Sequence, residues 1–395
     1  MNIILFDGQI RDQLLPLSFT RPIAEFRFGI LTIKEKWERV LPGNYSVLTQ
    51  KYLEKKYPLI IEDDNIFIAG NVTPSLMLSA EIELLNKGQV LMDKDRVIAF
   101  RGTIDQFNSS SFFTSTQTQS KILSFDRLYD LFLLNETAIE DDFRLITEGR
   151  QSEPISESVR IIGEKYFEDG TPKIFIEKGA KIECAILNLS NGPVYIGQGA
   201  EVQEGSVIRA PFAMCEHSVA NMNTKIYGAT TLGPYCKVGG ELNNVIMFGY
   251  SNKAHEGFLG NAVVGEWCNI GAGTNASNLK NDYSEIKLWS YPQGKFLKTG
   301  LQFCGLIMGD HSKTGINSMI NTATILGVGV NIHGSGFPRN FVPSFSEGGA
   351  SGFSDVNLVK FFQTASKMME RRGMILTNND REIFEYINRE AENYK

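Results

Sequence analysis

No stretch of this chain approaches the roughly 18–20 consecutive apolar residues that a membrane-spanning helix requires, so no bilayer crossing is expected. The opening Met1-Asn-Ile-Ile-Leu-Phe6 is apolar but short, and Asp7 and Arg11 interrupt it. A signal peptide wants a basic start and a longer apolar run, so this opening reads as a buried first strand. Positive charge is in deficit: 39 Lys and Arg stand against 45 Asp and Glu, for a net charge of −6. A general nucleic-acid binder needs the opposite balance, so no nucleic-acid partner is expected. Cysteine is sparse, with Cys184, Cys215, Cys236, Cys268 and Cys304 widely spaced and no C-x-x-C among them. That pattern argues against a disulfide framework and against a cysteine zinc site, and favours reduced thiols in a cytoplasmic protein. The four histidines, His217, His255, His311 and His333, lie too far apart in sequence to suggest a zinc centre, and no metal site is expected from them.

A chain of 395 residues is expected to hold two or three domains. The clearest internal signal is a repeat of six. From Met308 every sixth residue is Met308, Thr314, Ile320, Leu326 and Ile332, with Gly309, Gly315 and Gly327 directly after three of them. The same period runs through Ile176 and Ile182; Ile196, Val202 and Ile208; Ile226, Leu232 and Val238; and Val264 and Ile270. Six matches neither the 3.6 of a helix nor the 2 of a simple strand. It matches short strands separated by tight turns, each sending one aliphatic side chain into a core shared by stacked coils. Residues 210–224, 241–262 and 277–303 interrupt the period and are expected to project as loops, where solenoids commonly keep substrate contacts. Asn278 to Lys287 opens the last of these, and its continuation through Trp289, Tyr291, Pro292 and Gly294 reads as an external arm.

The repeat resembles that of hexapeptide-repeat acyltransferases, which implies a left-handed parallel β-helix with three hexads per coil. Asn252-Lys-Ala-His255-Glu-Gly-Phe258-Leu-Gly260 and Asn269-Ile-Gly-Ala-Gly-Thr274 sharpen the resemblance. They are similar to the acetyltransferase half of the bifunctional N-acetylglucosamine-1-phosphate uridylyltransferase/glucosamine-1-phosphate N-acetyltransferase family, which reads K-x-x-H-x-x-Y-x-G-D and then N-x-G-A-G-T. Gly309-Asp-His311-Ser-Lys-Thr-Gly-Ile-Asn317 matches a further motif of archaeal members. The resemblance implies acetyl transfer from acetyl-CoA to the amine of a sugar 1-phosphate, in UDP-N-acetylglucosamine or cell-envelope sugar synthesis, by a homotrimer. It assigns His255 as the base, since imidazole titrates near neutrality. It places Glu241, Asn269 and Phe258 at the acceptor, Lys225 and the alternative Arg209 at its phosphate, and Asn278, Lys287, Ala323 and Gly327 along acetyl-CoA. Lys237 is a further alternative for the phosphate. Among the departures from the pattern, Asn243 replaces a basic residue, Phe258 a Tyr, and Ser284 a Lys.

The first 150 residues resemble a shortened, Rossmann-like α/β nucleotidyltransferase domain. Asp7-Gly8-Gln9 is expected to be a turn after the first strand, and Arg11-Asp-Gln-Leu-Leu-Pro-Leu-Ser-Phe-Thr-Arg21-Pro22 resembles the phosphate-binding opening G-x-G-T-R-x-x-P-L-T-x-x-x-P-K of that family. Asp7, Gly8, Arg11 and Arg21 are the nucleotide-binding candidates, while Ile23 stands where the family has Lys. Asn71, closing Ile66-Phe-Ile-Ala-Gly-Asn71, stands where an Asp would hold Mg²⁺, and a carboxamide is a poorer ligand for that hard cation. UTP and Mg²⁺ are therefore implied only if this domain is active. Two alternatives follow: a bifunctional enzyme that also transfers a nucleotide, and a non-catalytic sugar-nucleotide-binding or scaffold protein. The expected organisation is an α/β domain over 1–150, a β-helix over 151–345 and a helical tail over 346–395. Residues 108–120 are polar and expected to be a loop; 128–145 is expected to be a helix capped by Asp126, and helices are expected over 353–372 and 379–394.

Overall fold

A computed structural model describes all 395 residues. They form two compact units, residues 1–26 with 31–127, and residues 27–30 with 128–395.

The first unit is built on a mixed six-stranded sheet of β1 (Asn2–Phe6), β2 (Asn44–Leu48), β3 (Asn65–Ala69), β4 (Gln89–Asp93), β5 (Arg96–Gly102) and β6 (Thr114–Gln117). Their order is β2-β1-β3-β5-β4-β6. β1 runs parallel to β2 and β3, while β5 is antiparallel to β3 and β4. Ile3, Ile4 and Leu5 are completely buried, as a central strand covered on both faces demands. Helices α1 (Ile33–Val40), α2 (Leu76–Glu83) and α3 (Ile104–Asn108) complete the unit. β6 falls inside the expected loop over 108–120. Its four side chains are all exposed, so no alternation marks it, and only backbone pairing with β4 makes it an edge strand. Asp126, the expected cap, accepts from Asn71 Nδ2 at 2.8 Å and Arg96 Nη1 at 3.3 Å.

Helix α4 (Leu128–Thr147) opens the long part of the second unit and packs on strands Thr230–Leu232, Glu241–Gly249 and Phe258–Glu266. Its Asn135, fully buried, donates to the Ala229 carbonyl at 3.2 Å and to Thr231 Oγ1 at 3.1 Å. The contact boundary at 127/128 consequently precedes residue 150.

The remainder is a parallel β-helix with three ladders of rungs. On face one the Cα partners rise through Ile186, Val207, Lys225, Glu241 and Phe258. Face two carries Val194–Ile196, Phe212–Met214 and Thr230–Leu232, and face three Lys237–Val238, Asn252–Lys253 and Asn269–Ile270. Partners Val207 and Lys225 are three hexads apart, the length of one complete coil. All the aliphatic hexad residues lie in one continuous core; Thr314, their single polar member, is buried as well.

Of the three expected interruptions, only 277–303 leaves the coil. It carries an antiparallel hairpin of Lys287–Ser290 and Lys295–Lys298. Residues 210–224 stay in the ladder, with Phe212 and Met214 filling inward positions. Residues 241–262 also stay, as parts of two nine-residue strands that bend from face one to face two. Bulky or irregular inward residues hid the period there without breaking the fold.

After the last rung, Gly352–Asp355 pairs antiparallel with Ser346–Gly349, so α5 (Leu358–Glu370) starts later than 353; α6 (Asn378–Ala391) follows. Both helices cover an aromatic ladder on one corner: His217, Tyr235, Tyr250, Trp267 and His311, with successive centroids 4.9, 5.3, 4.4 and 6.1 Å apart. Phe361 and Phe384 meet His311 edge-on. His217 and His311 are thus stacked within this corner. No helix is long and apolar enough to cross a membrane.

Candidate active site on the β-helix

Residues 254–257 form the corner between face three and face one. His255 is exposed there, and its imidazole makes no hydrogen bond or ion pair within the chain. The backbone beneath it is tightly held. Lys253 Nζ donates to the carbonyls of Gly239 at 2.9 Å and His255 at 2.8 Å, and Asn221 Nδ2 donates to the Ala254 carbonyl at 2.8 Å. The corners above and below are glycine-rich because the spacing leaves no room. A Cβ on Gly239 would lie 2.5 Å from the Ala254 oxygen, and one on Gly257 2.1 Å from the Thr274 oxygen. A hydrogen-bonded, closely packed corner therefore carries an uncommitted imidazole.

Face one brings the acceptor candidates together beside that corner. Lys225, Glu241 and Phe258 occupy one outward column on consecutive rungs, and Tyr227, Asn243 and Gly260 the next. Tyr227 donates its hydroxyl hydrogen to Glu241 Oε1 at 2.6 Å. Burial first, and then this carboxylate, push the Tyr227 phenol up to about 12, so it stays a donor at neutral pH. Lys225 Nζ lies 3.7 Å from Glu256, a pair exposed enough to be worth about 1 kcal/mol or less. Arg209 is exposed on the rung below Lys225 and has no partner in the chain. Phe258 donates its backbone N–H to Asn275 Oδ1 at 2.9 Å. A Cβ on Gly260 would fall 2.5 Å from the Phe258 ring and 2.7 Å from Asn278 Nδ2, so glycine leaves room for both side chains.

The remaining candidates scatter. Asn278 is tied to Asn261 Oδ1 at 2.8 Å, at the root of the arm. Lys287 is exposed on the arm hairpin, and Asn269 is exposed on face three, paired with Asn252 and Lys313. The alternative Lys237 is on face three as well, away from the Lys225 column. Ala323 and Gly327 are buried. At Gly327 the small residue serves rung stacking, because an added Cβ would lie 2.4 Å from the Ser344 nitrogen. Sequence reasoning missed Lys253, Tyr227 and Glu256. The available signal for Lys253 was a lone cation at an inward rung position otherwise filled by Val238 and Ile270.

In the first unit, Asp7 and Gly8 line a cavity of about 500 Å³ at the carboxyl ends of β1 and β2. That is where open α/β sheets bind ligands. Asp7 accepts from the Ile23 N–H at 2.7 Å and the Thr49 hydroxyl at 2.5 Å. Burial nonetheless raises its carboxyl to about 6. No Lys or Arg lines this cavity. Arg11 Nη2 is engaged with the Ser18 carbonyl at 3.0 Å and the Tyr52 hydroxyl at 2.6 Å, and Arg21 is buried. Asn71 Nδ2 binds the Phe125 carbonyl at 3.0 Å and Asp126 at 2.8 Å, so its amide is spent on holding that segment. No three His, Cys, Asp or Glu converge anywhere in the chain. Asn71, standing where a carboxylate would hold Mg²⁺, does not fit that ion.

Residues 3–151 match the family described as sugar nucleotidyl transferase. A bifunctional sugar-1-phosphate nucleotidylyltransferase/acetyltransferase of Sulfurisphaera tokodaii is 30% identical over 145 residues, 36% of this chain and 35% of that protein. The bifunctional protein GlmU of Wolbachia pipientis wMel is 29% identical over 155 residues, 34% of this chain and 36% of that protein. The matches thus span about a third of the length of these relatives. Among solved structures, LpxA of Bacteroides fragilis, a UDP-N-acetylglucosamine acyltransferase, aligns over 60% of this chain and 82% of its own at 14% identity, with a TM-score of 0.27. Residues 3–151 thus carry the sugar nucleotidyl transferase match, and a parallel β-helix with a six-residue repeat follows them.

Proposed function

We propose that the β-helix acetylates the amine of a hexosamine 1-phosphate, glucosamine 1-phosphate in the first instance, using acetyl-CoA. One observation carries this reading: an exposed, unpartnered imidazole on a clamped corner, beside a face bearing Lys225, Tyr227, Glu241 and Phe258. The relatives' names supply the reaction class.

The chemistry follows from what an amide bond requires. An ammonium has no lone pair, so the amine must be neutral when it attacks the thioester carbonyl. As the N–C bond forms, His255 takes the proton that the nitrogen loses. Collapse of the tetrahedral intermediate breaks the C–S bond, and the imidazolium returns its proton to the departing thiolate. Glu241, fixed by Tyr227, orients the acceptor's amine or hydroxyls. Lys225 and Arg209 supply charge for its phosphate. Asn269, Asn278 and Lys287 are assigned to acetyl-CoA and the acceptor, Ala323 and Gly327 to the pantetheine path, and a cytoplasmic homotrimer through the β-helix completes the reading.

The test is release of free thiol from acetyl-CoA and glucosamine 1-phosphate, repeated with His255→Ala. Turnover that survives the substitution removes His255 from the role. A second reading adds uridylyl transfer in the first domain, favoured by the family match over residues 3–151. Asp7, Gly8, Arg11 and Arg21 are its candidates. Pyrophosphate release from UTP and N-acetylglucosamine 1-phosphate, lost in Arg21→Ala, would establish it; no release would leave the cavity as a binding site.

A further inference from the structure

Face three places Val238, Lys253 and Ile270 at corresponding inward positions of three successive rungs. The first and last are core aliphatics, and Lys253 is only 1% exposed. Burying an ammonium among aliphatic groups is costly unless its donors are satisfied. Its Nζ is not simply sheltered by the core. It reaches the corner above and donates to Gly239 and His255 carbonyls, joining consecutive coils through the backbone of the assigned base.

We propose that Lys253 is a positioning residue for His255, its ammonium clasping the Gly239 and His255 carbonyls so that the corner bearing the imidazole keeps a single conformation. The proposal rests on the reading of His255 as the base. It accounts for why an inward position carries a cation there, when an aliphatic residue would satisfy the core. The steric wall of Gly239 and Gly257 limits where the corner can go, and the two hydrogen bonds select one position within that limit. Catalytic groups displaced by a fraction of an ångström lose rate, not substrate affinity, when the displaced group acts only as the bond forms.

The experiment uses Lys253→Met, which keeps the apolar stem and removes the donors, and Lys253→Gln, which keeps a shorter donor. Each is read by melting temperature, by kcat and KM for acetyl-CoA, and by NMR of protein labelled at the imidazole carbons of its four histidines. The expected result is a fold that persists, KM within about twofold, kcat reduced at least tenfold in the Met variant and less in the Gln variant, and a shifted or broadened signal for His255 alone. Unchanged kcat and an unchanged His255 signal in whichever variant folds would overturn the proposal. So would equal disturbance of all four histidine signals, which marks a merely structural role. Full activity in His255→Ala, with the His255 signal still moved by Lys253→Met, would instead remove the catalytic reading and leave the clasp standing.

Discussion

The Tyr227 hydroxyl donates to Glu241 Oε1 at 2.6 Å, diagonally across two rungs of face one. The hydroxyl absent at Phe258 thus has a counterpart two rungs away, where it fixes a carboxylate. Tyr227→Phe should leave Glu241 free to rotate. A hydrogen bond to a charged group contributes about 1.5–3 kcal/mol at most, and less when half-exposed, so melting should change little. The KM for the sugar acceptor should rise several-fold while that for acetyl-CoA stays put. Parallel rises in both would contradict the assignment of Glu241 to the acceptor.

Gly239→Ala probes the corner by steric means. The new methyl would sit 2.5 Å from the Ala254 oxygen and 3.2 Å from the His255 nitrogen, both backbone atoms. Neither rotates away, so the coils must separate. A loss of about 1–3 kcal/mol is expected in urea unfolding, accompanied by a drop in kcat. Wild-type stability would show that the coil spacing is looser than these distances allow.

Lys253 also predicts a pH dependence of stability. Burial pushes its ammonium down to about 8, against 10.5 when free. Between those values the unfolded chain holds a proton that the folded chain has released, so stability gained from this group rises with pH from about 8 to 10.5. The full effect is bounded at about 3 kcal/mol. Unfolding free energies of wild type and Lys253→Met, compared at pH 7.5 and 10, should shift by that sign in favour of the wild type. An unchanged difference would show that the ammonium is better solvated than its burial implies.

Asp7 gives the opposite sign in the acid range. Burial raises its carboxyl from 3.8 to about 6. Between these values the folded state binds a proton that the unfolded state lacks. The group's contribution to stability therefore falls as pH rises from about 4 to 6, by up to about 3 kcal/mol. Asp7→Asn should flatten that segment of the profile. A profile that keeps its slope would assign the dependence to other groups.

The six-residue period determined the β-helix from sequence alone, because an inward aliphatic at every hexad is visible without coordinates. Ile196, Val202, Ile208, Ile226 and Leu232 all entered the shared core. The same criterion misjudged 210–224 and 241–262, since Phe212 and Lys253 fill inward places that the period reserves for mid-sized aliphatics. It also missed β6, whose exposed polar side chains carry no pattern and whose strand exists only through pairing with β4. The motif marked His255, Glu241 and Lys225 as candidates, and the structure places all three in or beside face one. That Lys225, Glu241 and Phe258 form one column, that Tyr227 holds Glu241, and that Lys253 Nζ donates to the His255 carbonyl were decided by tertiary structure. The reason is register: residues 16 and 17 positions apart become neighbours only when successive coils stack and set which rung lies on which.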